Sequence, residues 1–253
     1  MKGILANMKK QTAQEYDRRL FKSYRQTHGE DCINQDEAYD WYLQYYDCYY
    51  KKWFDKLDRS SNIIEIGCNS GYMLKVLQKQ GFINLKGIDL SPDDIEYARS
   101  FLEKGAEVYC IDAFKFFEES NEKFDIIYTK AMLEHISKVR IFEILESIEK
   151  HLSEKGLAIV EVPNMDWIWA THERYMDFTH EVGFTKESLG QVMRNVFSEV
   201  QIEYTDNSDR FHGIKTWIAR KVIVPLLYWS EPVVEKNCLF SRAIMGIGSK
   251  KYE

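Results

Sequence analysis

Proline and cysteine are scarce in this chain of 253 residues, at four and five. Cys32, Cys48, Cys68, Cys110 and Cys238 are odd in number, widely spaced and without a C-x-x-C pair. That pattern argues against a disulfide framework or a zinc-ligand set, and reads as five buried thiols in a reducing, cytoplasmic setting. No stretch approaches 18 consecutive apolar residues, and the apolar stretch near Met1 is too short for a signal-peptide core. Positive charge is also in short supply. Thirty-four Lys and Arg against 40 Asp and Glu leave −6, with no basic tail or stripe, which disfavours a nucleic-acid partner.

Aromatics, by contrast, are in surplus: 6 Trp, 16 Tyr and 14 Phe, with nine rings inside residues 39–54. There Trp41, Tyr45, Tyr49 and Trp53 step by four along one helical face. Between residues 62 and 164 short apolar runs alternate with helical patterns. Strands are expected at 62–66, 85–89, 108–111, 124–128 and 157–162. Helices are expected from Tyr72 to Gln80, with Gly81 at the C-terminal cap position, from the Ser91-Pro-Asp-Asp start to Gly105, and over about 139–152. Ser91 reads as an N-cap with two carboxylates on the positive end of the helix dipole. The order predicts an α/β fold: a doubly wound, mainly parallel sheet with helices on both faces, Rossmann-like, binding ligands beyond the strand carboxyl ends.

Chemistry concentrates at those ends. Ile-Glu-Ile-Gly-Cys-Asn-Ser-Gly closes the first strand, with Glu65, Gly67, Asn69 and Gly71 in a turn that lets backbone approach a ligand at a helix N-terminus. The spacing is not the G-x-G-x-x-G of dinucleotide binders, and Glu65 would repel a pyrophosphate while suiting a cationic amino-acid group. Asp89, followed by Leu90, ends the second strand where a carboxylate accepts ribose hydroxyls. Asp112 and Ala113 follow the third, placed to receive an adenine amino group.

Together these stretches, with Gly-Ile-Asp-Leu-Ser, Ile-Asp-Ala and Phe-Asp-Ile-Ile-Tyr-Thr-Lys-Ala-Met-Leu-Glu-His-Ile, resemble the class I S-adenosylmethionine-dependent methyltransferases over about residues 60–165. The resemblance implies that fold and S-adenosyl-L-methionine as methyl donor, leaving S-adenosyl-L-homocysteine. It places Gly67 and Gly71 at the methionine part, Asp89 at the ribose, Asp112 and Ala113 at the adenine, and Lys130 near the methionine moiety. Asn69 stands where many members have glycine, and asparagine tolerates the left-handed turn. Tyr46 is expected to face the cofactor.

Methyl transfer to a hydroxyl needs aligned reactants and a base, and histidine suits that role near neutral pH. His135 resembles the base of some small-molecule members. A second candidate is His180 oriented by Asp177, in an Asp-x-Thr-His segment resembling methyltransferases of surface-polysaccharide gene clusters. His172, Glu173 and Arg174 are candidates to read an acceptor's polar part. No spacing indicates a metal.

The reading divides the chain into a helical, aromatic-rich cap (1–60), a cofactor-binding core (61–205) with an acceptor insertion at about 163–190, and an extension (206–253). The two aromatic segments are expected to wall the acceptor pocket. Trp217, Arg220, Lys221 and Trp229 leave weak peripheral membrane contact or ordinary packing open for the tail. The function expected is methylation of a small-molecule or saccharide acceptor, at oxygen, in surface-polysaccharide biosynthesis. Alternatives are N-methylation of a small amine or phosphoryl-linked acceptor, cofactor binding without catalysis, and a nicotinamide oxidoreductase.

Overall fold

A computed structural model of the chain describes residues 34–205 and 238–250, with single positions at 20, 21, 24, 218, 221, 222, 225, 226 and 229. Seven strands form a mostly parallel sheet flanked by helices, as the alternation of apolar runs predicts. The chain divides into two compact units, to Glu119 and from Ser120.

In the first unit, α1 (Gln35–Tyr45) starts at Asn34, whose side chain accepts the Asp36 N–H, and passes through one wide turn at Tyr46–Tyr50 into α2 (Lys51–Phe54). Then follow β1 (Asn62–Ile66), α3 (Tyr72–Lys79), β2 (Asn84–Asp89), α4 (Pro92–Phe101), β3 (Ala106–Cys110) and α5 (Ala113–Glu119). The strands run parallel in the order β3-β2-β1, Ile64 opposite Lys86 and Ile88 opposite Tyr109. Ile63, Ile64 and Ile66 are all buried, the signature of a parallel strand covered on both faces. Ser91 caps α4 as expected, accepting the Asp94 N–H at 3.3 Å. Gly81 and Gly105, at φ 96° and 104°, close the turns after α3 and α4.

The wide turn re-phases the aromatic helix. Closing five residues back instead of four, it buries Tyr46, Tyr50 and Phe54, whereas Trp41 remains 42% exposed. The stripe read from the sequence therefore supplies only Tyr45 to the core. Tyr42 stacks on Tyr72 of α3 at 5.5 Å, so α1 lies against α3.

The second unit contains β4 (Phe124–Lys130), α6 (Ile141–His151), β5 (Leu152–Pro163), α7 (Ala170–Met176), α8 (Lys186–Val196), β6 (Val200–Thr205) and β7 (Ala243–Ser249). β4 and β5 are parallel, and β7 runs antiparallel between β5 and β6. The span expected as an extension thus contributes a strand, with Ile244, Met245 and Ile247 buried. Cys48, Cys68, Cys110 and Cys238 form no disulfide, but only Cys68 and Cys238 are buried: Cys48 is half-buried, and Cys110 is exposed because β3 is thinly covered there. Cys32, Trp217 and Arg220 lie outside the described residues.

Candidate functional site

The first constellation lies in the first unit, where β1 gives way to α3. Gly67 at φ 74° and Gly71 at φ 76° take the left-handed turns that only glycine adopts freely, and Asn69 takes a third at φ 45°. A Cβ on Gly71 would stand 2.9 Å from Cβ of Ala98, so α4 enforces the small residue as well. The Gly67 and Cys68 amides both donate to the Ile88 carbonyl, at 2.8 and 3.0 Å, pinning the turn to β2. Ser70, buried, donates to Asp94 at 2.8 Å.

Asp89 ties this turn to the next. Its Oδ2 accepts the Asn69 N–H and its Oδ1 the Ser91 N–H, both at 2.8 Å. Burial pushes its carboxyl up to about 6, against these hydrogen bonds, which favour the anion. The Leu90 amide is a third backbone donor to Asp89, and since a carboxylate offers about four acceptor positions, one remains for a ligand hydroxyl. No side chain caps α3, whose first-turn amides face the glycine turn. Glu65 is buried on β1, Leu90 is exposed just beyond β2, and Asp112 caps α5 by accepting the Lys115 N–H at 3.1 Å, with half-buried Ala113 next to it.

Tyr46 is fully buried beside Phe54, at 5.9 Å between rings, and its hydroxyl has no hydrogen-bond partner among the described residues. Burial pushes that phenol up to about 12, so it is a donor at every physiological pH. The spare acceptor capacity of Asp89 and the uncapped helix start beside it fit a zwitterionic nucleoside such as S-adenosylmethionine, while the charged groups nearest Tyr46 are Asp55, Arg59 and Asp47.

The second constellation lies in the second unit. β4 ends at Lys130, and Ala131 follows at φ 51°, a conformation rare for alanine, held by its N–H on the Glu161 carbonyl at 3.0 Å. That sharp exit leads into the turn carrying Glu134 and His135. Nδ1 of His135 lies 2.7 Å from Oγ1 of Thr179, which itself donates to Asp177 at 2.7 Å. With its hydrogen committed, Thr179 can only accept from His135, so the neutral ring carries its hydrogen on Nδ1 and its lone pair on Nε2.

Nδ1 of His180 lies 3.0 Å from the Glu173 carbonyl, which only accepts, and the same tautomer follows. The two imidazoles are 4.8 Å apart. Asp177 therefore orients His135 through Thr179, not His180 as the sequence suggested, because Thr179 stands between it and a ring. Glu173 pairs with Arg242 at 3.1 Å, and Arg174 donates to the His180 and Glu181 carbonyls. Both brace the segment instead of facing solvent to read an acceptor, while His172 is exposed.

Sequence reasoning missed Glu134. Its side chain is 2% exposed, and neither oxygen has a hydrogen-bond partner on another described residue. Burial pushes its carboxyl up to about 8, against its own amide and the nearby Lys130, with Glu161 and Glu173 adding to the rise. The Leu-Glu-His run named it as a neighbour of His135, but its burial depends on residues 181 and 182, whose amides clasp the Glu134 carbonyl.

The sheet and the glycine–Asp89 cradle define an α/β domain of the nucleoside-cofactor type. Residues 42–196 match the family described as a methyltransferase domain. The chain is 31% identical over 104 residues to a ubiquinone biosynthesis O-methyltransferase of Chelativorans sp. (strain BNC1), a match spanning 40% of each chain. A SAM-dependent methyltransferase from Archaeoglobus fulgidus superimposes with a TM-score of 0.66 at 19% identity, over 90% of this chain and 99% of that one. The plantazolicin methyltransferase BpumL, solved with SAH, gives 0.61 at 19% identity, over 96% and 99%. This chain belongs to the methyltransferase-domain family, within the class I S-adenosylmethionine-dependent methyltransferases.

Proposed function

We propose that the protein transfers a methyl group to a hydroxyl oxygen of a small-molecule or saccharide acceptor. The observation that carries the reading is the Asp177–Thr179–His135 chain, which leaves the His135 lone pair on Nε2. S-adenosylmethionine, when bound, supplies an electrophilic methyl group and needs no acid catalysis from the protein. Tyr46, Asp89 and the Gly67–Gly71 turn would hold it, with Glu65, Asn69, Leu90, Asp112, Ala113 and Lys130 as further contacts. His135 Nε2 takes the acceptor proton, and Thr179 with Asp177 fixes the ring and favours the imidazolium that results.

An oxygen acceptor also agrees with the name of the curated relative, an O-methyltransferase. The saccharide refinement, in surface-polysaccharide biosynthesis, rests on the Asp177-x-Thr179-His180 segment. Exposed Trp169, Tyr175 and Phe178 around it offer faces on which a sugar or other flat acceptor stacks. No described helix is long and apolar enough to cross a membrane. Exposed Ile218, Val222, Leu226 and Trp229 support peripheral membrane contact of the tail, and the absence of disulfides among the described cysteines supports a cytoplasmic setting.

The test is turnover on a panel of hydroxyl and amine acceptors, followed by labelled methyl. His135→Ala should lower kcat on the hydroxyl substrate about 10²–10⁴-fold. Full turnover in that variant, or activity confined to amines, would reject the oxygen reading.

A further inference from the structure

The donor atoms of Glu134, His135 and His180 lie within 4.8 Å of one another. Two are imidazoles whose Nδ1 hydrogens are committed to Thr179 and to the Glu173 carbonyl, the arrangement that protein metal sites use to aim Nε2 at an ion. The third is a carboxylate, buried and without a partner on another described residue. Its oxygens are left with acceptor capacity that no described side chain uses, and a cation binding there would take the place of its proton.

We propose that Glu134, His135 and His180 form a binding site for a first-row divalent cation of the zinc or manganese type. Two imidazoles and one carboxylate select such ions over calcium or magnesium, which prefer all-oxygen sets. Three protein ligands leave an open position, as catalytic zinc sites do. A tetrahedral ion with ~2.0–2.1 Å bonds holds its donors roughly 3.3 Å apart, so the three side chains draw inward by torsion. Carboxyls of Glu161, Glu173 and Asp177 lie near the cluster, balanced by Lys130, Arg174 and Arg242, so it is the donor set and not the local charge that selects a cation.

What occupies the open position rests on the proposed oxygen methylation: an acceptor hydroxyl bound there becomes more acidic and loses its proton to water. His135 then serves as a ligand. The base role and the ligand role use one lone pair and exclude each other, so the cation decides between them. Thr179 and Asp177 are positioning residues in either case.

The experiment uses untagged, chelator-treated full chain titrated with Co²⁺, read by visible d–d absorption and by competition with Zn²⁺. One equivalent should bind, and Co²⁺ should shift the Nδ1–H resonances of two histidines. Glu134→Gln and His180→Ala, checked for folding by circular dichroism, should each weaken binding more than tenfold. Thr179→Val should weaken it about 10–100-fold. Absence of Co²⁺ uptake by the wild type, or unchanged affinity in folded Glu134→Gln, would overturn the site. Should the variants not fold, the two shifted histidine signals in the wild type decide alone. The base reading is judged separately, by turnover in chelator.

Discussion

The carboxylate of Asp89 already receives three backbone N–H groups, from Asn69, Leu90 and Ser91, which leaves it acceptor capacity for one ribose hydroxyl. Its pKa sets a pH dependence. The folded value, about 6, lies above the ordinary 3.8, so the folded apo protein holds this proton more tightly than the unfolded chain does. The stability from that difference is fully present below about 3.8 and is lost as pH rises through about 6. Cofactor binding runs the other way, since hydroxyl donors want the anion. Calorimetric affinity for S-adenosylhomocysteine should tighten as pH rises through 6, and Asp89→Asn should bind weakly with no such dependence. A wild-type affinity flat across that range would remove the ribose role. The place of Asp89 at the end of β2 was legible in the sequence, because it closes an apolar run and Ser91 already fills the helix-cap role. Glu134 was not, because burial is a property of neighbours that sequence leaves unplaced.

Two glycines decide how α8 meets the sheet. A Cβ on Gly246 of β7 would come 2.1 Å from Sδ of Met193, and one on Gly248 would come 2.6 Å from Cγ of Phe197. The helix and the residue closing it use the space where side chains are missing, and buried Met193 and Phe197 fill it. Gly246→Val should therefore cost about 1–3 kcal/mol through overpacking, read as a lower midpoint in thermal or urea unfolding. An unchanged midpoint would show that Met193 moves aside freely. β7 illustrates what the sequence hid. Its apolar run is short, broken by glycines and far from its partners in the chain, so no local period announces it. The wide turn at Tyr46–Tyr50 hid for a different reason: one extra residue in a helical turn rotates every later side chain, and the four-residue stripe ceased to predict burial. Strands β1, β2 and β4 and the Ser91 cap were legible because each declares itself in a few adjacent residues.

Across the whole molecule, binding and stability are one equilibrium seen twice. A ligand that binds only the folded state adds about 2.7 kcal/mol when present at a hundredfold excess over its Kd. For a chain of this size each kcal/mol moves Tm by roughly 2–4 °C, so saturating S-adenosylhomocysteine should raise Tm by several degrees. NADH should leave it unmoved, as the missing G-x-G-x-x-G motif implies. The family places the chain among methyl-transfer enzymes, while the acceptor rests on the histidine cluster of the second unit, so the two claims fail independently. The cofactor claim is the one on which the rest stands. Titration calorimetry of the wild type with S-adenosylhomocysteine tests it most directly: one site per chain, much weakened by Asp89→Ala, is the predicted result, and no binding by the folded wild type would contradict it.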